Sequence, residues 1–222
     1  MSNRFMRNKD LIDQRLLEQP VSVIGAGGIG SALITLMSIM GWKNVDVLDD
    51  DLLEEHNRSS TLFPTENVGL TKVVAAANTF KLYSDEDQWL NPVPKRFPNG
   101  ESVLNDIVFM GPDSMKSREG VYINWVENPN RKLLVDMRMG ALGMEVITVT
   151  KNNDYFWDSF ITDAEAPEEI CTMKHTIFSA NVVAGLGLTQ AFSYLQNIPF
   201  YAYINLSLTP IKLEKQHLIV GD

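Results

Sequence analysis

The sequence predicts an α/β fold: a mostly parallel central sheet flanked by helices, with a few additional antiparallel strands. Three observations predict it. The run Val21-Ser22-Val23-Ile24 reads as a short buried strand and passes directly into glycines at 25, 27, 28 and 30. Residues 31–40 are then apolar at nearly every position, as a helix packed on a sheet requires. A second strand pattern, Val45-Asp46-Val47-Leu48, ends in Asp49-Asp50-Asp51. Strand, glycine turn, helix and strand within about 30 residues are the opening unit of a Rossmann-like sheet.

The remaining elements follow in order. Residues 4–18 set Met6, Leu11, Ile12, Leu16 and Leu17 among charges, the pattern of a short amphipathic helix, which Pro20 ends. Gly41 stops the helix over 31–40. Lys72–Tyr83 is Ala-rich and helical, and residues 88–99, with Pro92, Pro94 and Pro98, read as a strand and then a loop. Residues 106–110 form a strand, and Pro112-Asp113-Ser114 turns the chain into a helix that runs to about residue 124. Residues 133–136 and 144–149 are two more strands. An acidic, aromatic-bearing loop over 151–169, a long apolar helix over 176–195 and an alternating late strand over 202–213 complete the chain.

With 222 residues, 45% of them hydrophobic, the chain suits one full-sized core, and residues 1–222 are expected to form a single nucleotide-binding domain. A net charge of −9 and the lack of a basic stripe argue against nucleic acid and anionic membranes as partners. Cys171 is the one cysteine, which excludes an intrachain disulfide and a tetrathiolate zinc site within one chain. Residues 1–10 lack the apolar core of a secretion signal, and no apolar run approaches the ~18 residues of a membrane span, so a cytoplasmic address is expected.

Gly25, Gly27, Gly28 and Gly30 let the backbone turn tightly and approach a phosphate, while the helix that follows offers free N–H groups and a positive dipole end. The aspartates begin 19 residues after Gly30, at a strand tip where a carboxylate can accept hydrogen bonds from ribose hydroxyls. A nicotinamide-dependent oxidoreductase would carry the same two features. The residues beyond them separate the readings: Asn57, then Leu62-Phe63, Val68-Gly69 and Lys72, and later Asp113 with Arg118 five residues on. Taken with Gly-Ala-Gly-Gly-Ile-Gly-Ser at 25–31 and Asp49-x-Asp51, this ordered series resembles the ThiF/MoeB/HesA family, bacterial relatives of the ubiquitin-activating enzymes. It covers most of residues 4–150.

The resemblance implies an adenylyltransferase that uses ATP and Mg2+ to activate a carboxylate, most naturally the C-terminus of a ubiquitin-like or sulfur-carrier protein. It further implies that Asp49 binds the ribose, with Asp50 or Asp51 sharing the duty, and that Asn57 lies near the phosphates. Lys72 would stabilise the transition state, and Asp113 would hold Mg2+ or, as the bland alternative, cap a helix. Arg118 would orient that loop. Arg7 matches an arginine that reaches the ATP of a neighbouring subunit, which implies a homodimer, although an exposed helix arginine explains it as well. Arg138, at a strand end, suits a substrate carboxylate or a local salt bridge.

Two features depart from or extend the pattern. Family members carry an arginine three residues after the asparagine, where this chain has Ser60, and the loop is one residue shorter before Leu62-Phe63. Either Arg58 takes that role, or the contact is dispensed with, or the chain is a nucleotide-binding partner subunit without turnover. Cys171-Thr172 resembles the thioester-forming cysteine of the ubiquitin-activating branch, with Lys174 and His175 nearby to lower its pKa; a lone cysteine is otherwise a small buried hydrophobe.

Overall fold

The computed structural model describes residues 3–98, 103–140, 142–162, 164 and 176–220. Cys171, with Thr172, Lys174 and His175, lies outside the described residues. One eight-stranded sheet organises the chain, in the order β3-β2-β1-β4-β5-β6-β7-β8. The strands are β1 (Val21–Ile24), β2 (Asn44–Leu48), β3 (Trp89–Val93), β4 (Ile107–Met110), β5 (Leu133–Gly140), β6 (Gly143–Thr150), β7 (Phe200–Leu208) and β8 (Ile211–Ile219). The first five in spatial order run parallel and the last three pair antiparallel, which is the predicted class.

Alternation along the strands feeds two cores. Val21, Val23, Ile107 and Phe109 face helices α1 (Gly28–Met40), α2 (Lys72–Tyr83) and α4 (Ile177–Leu195), where Leu33, Val73 and Val183 are fully buried. Ile24, Val108 and Met110 face α3 (Met115–Glu127) through Val121, Tyr122 and Trp125. The loop expected over 151–169 joins this second core: Phe156 is fully buried, and its ring stacks on Tyr122 with centroids 4.1 Å apart. Among the described residues no helix is long and apolar enough to cross a membrane.

The structure differs from the sequence reading in two places. Residues 4–18 form two short 3-10 turns, Asn3–Phe5 and Gln14–Glu18, instead of one helix. Asp13 accepts from the Arg15 N–H and so starts a separate turn, while Arg4 donates to the Ser38 and Ile39 carbonyls at the end of α1; the segment is a strap over that helix end. The late strand is a hairpin, β7–β8, that breaks at Thr209–Pro210, where proline has no N–H to give the ladder.

Candidate active site

The parallel strands end in register. Ile24 is level with Leu48 and Met110, and Leu48 with Val93, so the loops after β1, β2, β3 and β4 share one rim. Strand order reverses between β1 and β4, the place where an open α/β sheet leaves a crevice beyond its strand ends. A cleft of about 580 Å3 lies there, and Gly25, Gly27, Gly28, Asp49, Asp51, Asn57, Lys72 and Asp113 all line it.

The glycine turn forms the floor. Gly25 has φ of +91°, a left-handed conformation that side chains resist, and a Cβ there would lie 3.1 Å from the Gly111 carbonyl oxygen. Gly30 does not line the cleft; it lies inside α1, and a Cβ on it would collide with the Gly25 carbonyl oxygen, so its role is to close the turn on the helix. The first intrahelical bond runs from Ser31 N–H to Gly27 O, which leaves the amides of the first turn of α1 without helical partners at the cleft floor.

Asp49 is fastened to this turn. Its Oδ2 accepts from the Ala26 N–H at 2.7 Å and its Oδ1 from the Asp51 N–H at 2.9 Å. Burial pushes its carboxyl above the usual carboxylate range, opposed by the Ala26 bond and by the charge of Lys72. Lys72 opens α2, at the positive end of the helix dipole, and its side chain is only 12% exposed. Its Nζ lies 2.5 Å from Asp51 Oδ2, on a carboxylate that is itself largely in solvent. Asn57 Oδ1 accepts from the Glu54 N–H at 2.9 Å, half of a reciprocal cap that fixes the loop.

On the opposite wall Asp113 is exposed, and Ser114, not Asp113, caps α3 by accepting from the Ser117 N–H. The helix-cap alternative for Asp113 therefore falls away. Asp49, Asp50, Asp51 and Asp113 give the cleft hard oxygen donors, the chemistry that suits Mg2+, and the first three lie within 4.8 Å of one another. Beneath Asp113, Arg118 is 7% exposed. It pairs with the fully buried Asp136 and donates to the carbonyls of Met137 and Pro112, the latter at 2.6 Å. Burial pulls its pKa down, and the Asp136 charge opposes that pull. Arg138 lines the cleft as well, but its guanidinium is held by Asp136 at 2.7 Å, the Ser159 carbonyl at 2.8 Å and Glu145 at 3.6 Å.

Besides Gly30, two expected residues, Arg58 and Arg7, lie apart from this cluster. Arg58 pairs with Glu55 and donates to Thr65 Oγ1 at 3.1 Å, outside the cleft lining. Arg7 is exposed in the N-terminal strap, also outside the lining. Cys171 falls outside the described residues. In the other direction, the sequence reading missed Arg96 and Phe97, which line the cleft from the loop after β3. Only the pairing of β3 with β2 brings that loop to the rim.

The model of the ThiF family matches residues 4–217. The NEDD8-activating enzyme E1 catalytic subunit of Arabidopsis thaliana is 35% identical over 139 residues, 55% of this chain and 30% of that protein. Ubiquitin-like modifier-activating enzyme 5 of Culex quinquefasciatus is 29% identical over 90 residues, 40% of this chain and 21% of that protein. Both matches therefore span less than a third of the relative's length. E. coli MccB solved with ATP superposes on 99% of this chain and 72% of its own, with a TM-score of 0.71 at 16% identity. The microcin C7 biosynthetic enzyme MccB in complex with N-formylated MccA covers 99% and 72%, with a TM-score of 0.75 at 17% identity. At such identity the likeness is one of fold.

Proposed function

This chain belongs to the ThiF family, and we propose that it adenylates a carboxylate with ATP and Mg2+. The observation that carries the reading is the convergence of the glycine turn, Asp49, Lys72 and Asp113 on one cleft at the strand switch point. A carboxylate oxygen of the acyl substrate forms a bond to the α-phosphorus while the bond to the β-phosphate oxygen breaks, and pyrophosphate leaves with that electron pair. Asp49 receives the ribose, the first-turn amides of α1 and Lys72 take the growing charge on the phosphate oxygens, and Asn57 holds the adjoining loop in shape. Asp113 would hold Mg2+, which when bound adds positive charge beside the phosphates.

The acyl substrate we favour is the C-terminus of a ubiquitin-like or sulfur-carrier protein, because relatives of this chain activate ubiquitin-like modifiers and MccB is seen with the peptide MccA. Transfer from the adenylate to Cys171 is the finer step: the thiolate attacks the acyl carbon and AMP leaves. The working unit is a cytoplasmic homodimer in which Arg7 serves the neighbouring ATP, and residues 1–222 act as one domain. Pyrophosphate exchange with ATP-Mg and a panel of carriers ending in Gly-Gly tests the first half-reaction. Exchange is expected with at least one of them, and a Cys171 adduct in the intact mass would report the second step. Failure of ATP to bind in calorimetry overturns the reading.

A second reading is a nucleotide-binding partner subunit without turnover. Ser60 and the outward course of Arg58 favour it. Tight ATP binding with no exchange across the panel separates it from the first, and preference for NADH over ATP would favour an oxidoreductase instead.

A further inference from the structure

We propose that Arg96 is the second phosphate-binding cation of this cleft, acting beside Lys72 from the opposite wall. The proposal rests on the reading of the cleft as an ATP site. Among the described residues four cationic side chains line the cleft: Lys72, Arg96, Arg118 and Arg138. Arg118 and Arg138 share the buried carboxylate of Asp136, and both are further committed to backbone carbonyls. To turn either toward a ligand would break a buried ion pair with Asp136 and give up its backbone carbonyl bonds. Lys72 is balanced by Asp51. Arg96 alone of the four is exposed, and among the described residues its guanidinium holds one hydrogen bond, to Ser117 Oγ at the limiting distance of 3.5 Å.

Its place in the fold sharpens the point. Ser117 lies in the first turn of α3, so Arg96 rests near the positive end of a helix dipole, an unfavourable station for a cation without an anion beside it. The loop that carries it is pinned. Phe97 is 3% exposed and sits in the core with Val121 and Tyr122, and Pro98 lies against α3 so closely that a Cβ on Gly120 would come within 2.9 Å of it. A guanidinium on an anchored loop that lines the same cleft as the glycine turn matches a phosphate, whose oxygens accept two parallel N–H bonds from arginine's fork. On the near wall Ser60 is short, and its carbonyl packs on Gly28.

The test is calorimetry of ATP and AMP binding to wild type, Arg96→Ala and Arg96→Lys, with Mg2+ present. Loss of a charge-assisted phosphate contact weakens ATP by about tenfold or more in Arg96→Ala, leaves AMP within about twofold, and gives an intermediate loss in Arg96→Lys. Arg96 is exposed, so the variants are expected to melt with wild type. ATP binding unchanged in Arg96→Ala, or ATP and AMP weakened equally, overturns the assignment while the ATP site stands. Wild type that binds no ATP removes the site itself and the assignment with it.

Discussion

Lys72 Nζ stands 2.5 Å from Asp51 Oδ2 where both line the cleft, the lysine nearly buried and the aspartate 66% exposed. A pair so open to water on one side contributes at most about 1 kcal/mol. Lys72 also sits where the α2 dipole repels a cation, so its position favours an incoming anion more than the fold. Lys72→Ala is therefore expected to keep its melting temperature within about 2 °C of wild type while pyrophosphate exchange falls by roughly 100-fold or more. A large drop in melting temperature with exchange intact would assign Lys72 to the fold.

The glycines of the turn divide into two kinds. A Cβ on Gly27 meets nothing within 4 Å. Gly27→Ala is expected to fold as wild type but to put a methyl where the phosphates approach, a clash of about 1–3 kcal/mol, or roughly tenfold or more in ATP affinity. At Gly30 the same methyl drives into the Gly25 backbone, so Gly30→Ala is expected to lose about 3 kcal/mol of stability. Urea melts and calorimetry on the two variants read the contrast; equal destabilisation in both would contradict it.

How far the sequence carried depends on the range of the forces at each element. The unit from β1 through β2 was legible because its signals are local: a buried strand, glycines that only one turn needs, and a helix stopped by Gly41, whose φ of +99° is the left-handed cap. The strap at 4–18 was misread as a helix because Arg4 is drawn to the carbonyls of Ser38 and Ile39, a contact more than thirty residues away. Lys72, Asp113 and Asn57 could be named through the resemblance, not through spacing. Arg96 carried no local mark at all, since only strand pairing at the sheet edge brings the end of β3 to the rim. Arg58 shows the converse: nearness in sequence to Asn57 does not aim a side chain into the cleft.

Asp136 is fully buried between Arg118 and Arg138 and supplies the negative charge that both require. Asp136→Ala leaves two cations in a poor solvent without their partner, at a cost of about 3–5 kcal/mol. The same change loosens Arg118, which holds the Pro112 carbonyl next to Asp113. The urea midpoint is expected to fall accordingly, and any folded remainder to bind ATP more weakly. A shift below about 1 kcal/mol would mean that water already reaches this network.

Asp49 sets stability against binding, and pH exposes the conflict. Burial raises its carboxyl above the ordinary 3.8, despite the N–H groups of Ala26 and Asp51. A carboxyl raised in this way keeps a proton in the folded state that the unfolded chain has released, so the unfolded state binds fewer protons between the two values. Stability contributed by this group therefore falls as pH rises from 3.8 through the folded value, and the cost is constant above it. Asp49→Asn removes the charge and retains an oxygen for the Ala26 N–H. At pH 7 the variant is expected to be at least as stable as wild type, with its advantage shrinking as the pH falls toward 3.8. ATP affinity should fall at the same time, since a neutral amide is a weaker acceptor for ribose hydroxyls than a carboxylate. Urea unfolding of both proteins from pH 7 down through the acid range reads the curve. A variant less stable than wild type at pH 7, or a difference indifferent to pH, would mean that the two N–H bonds outweigh the desolvation of Asp49.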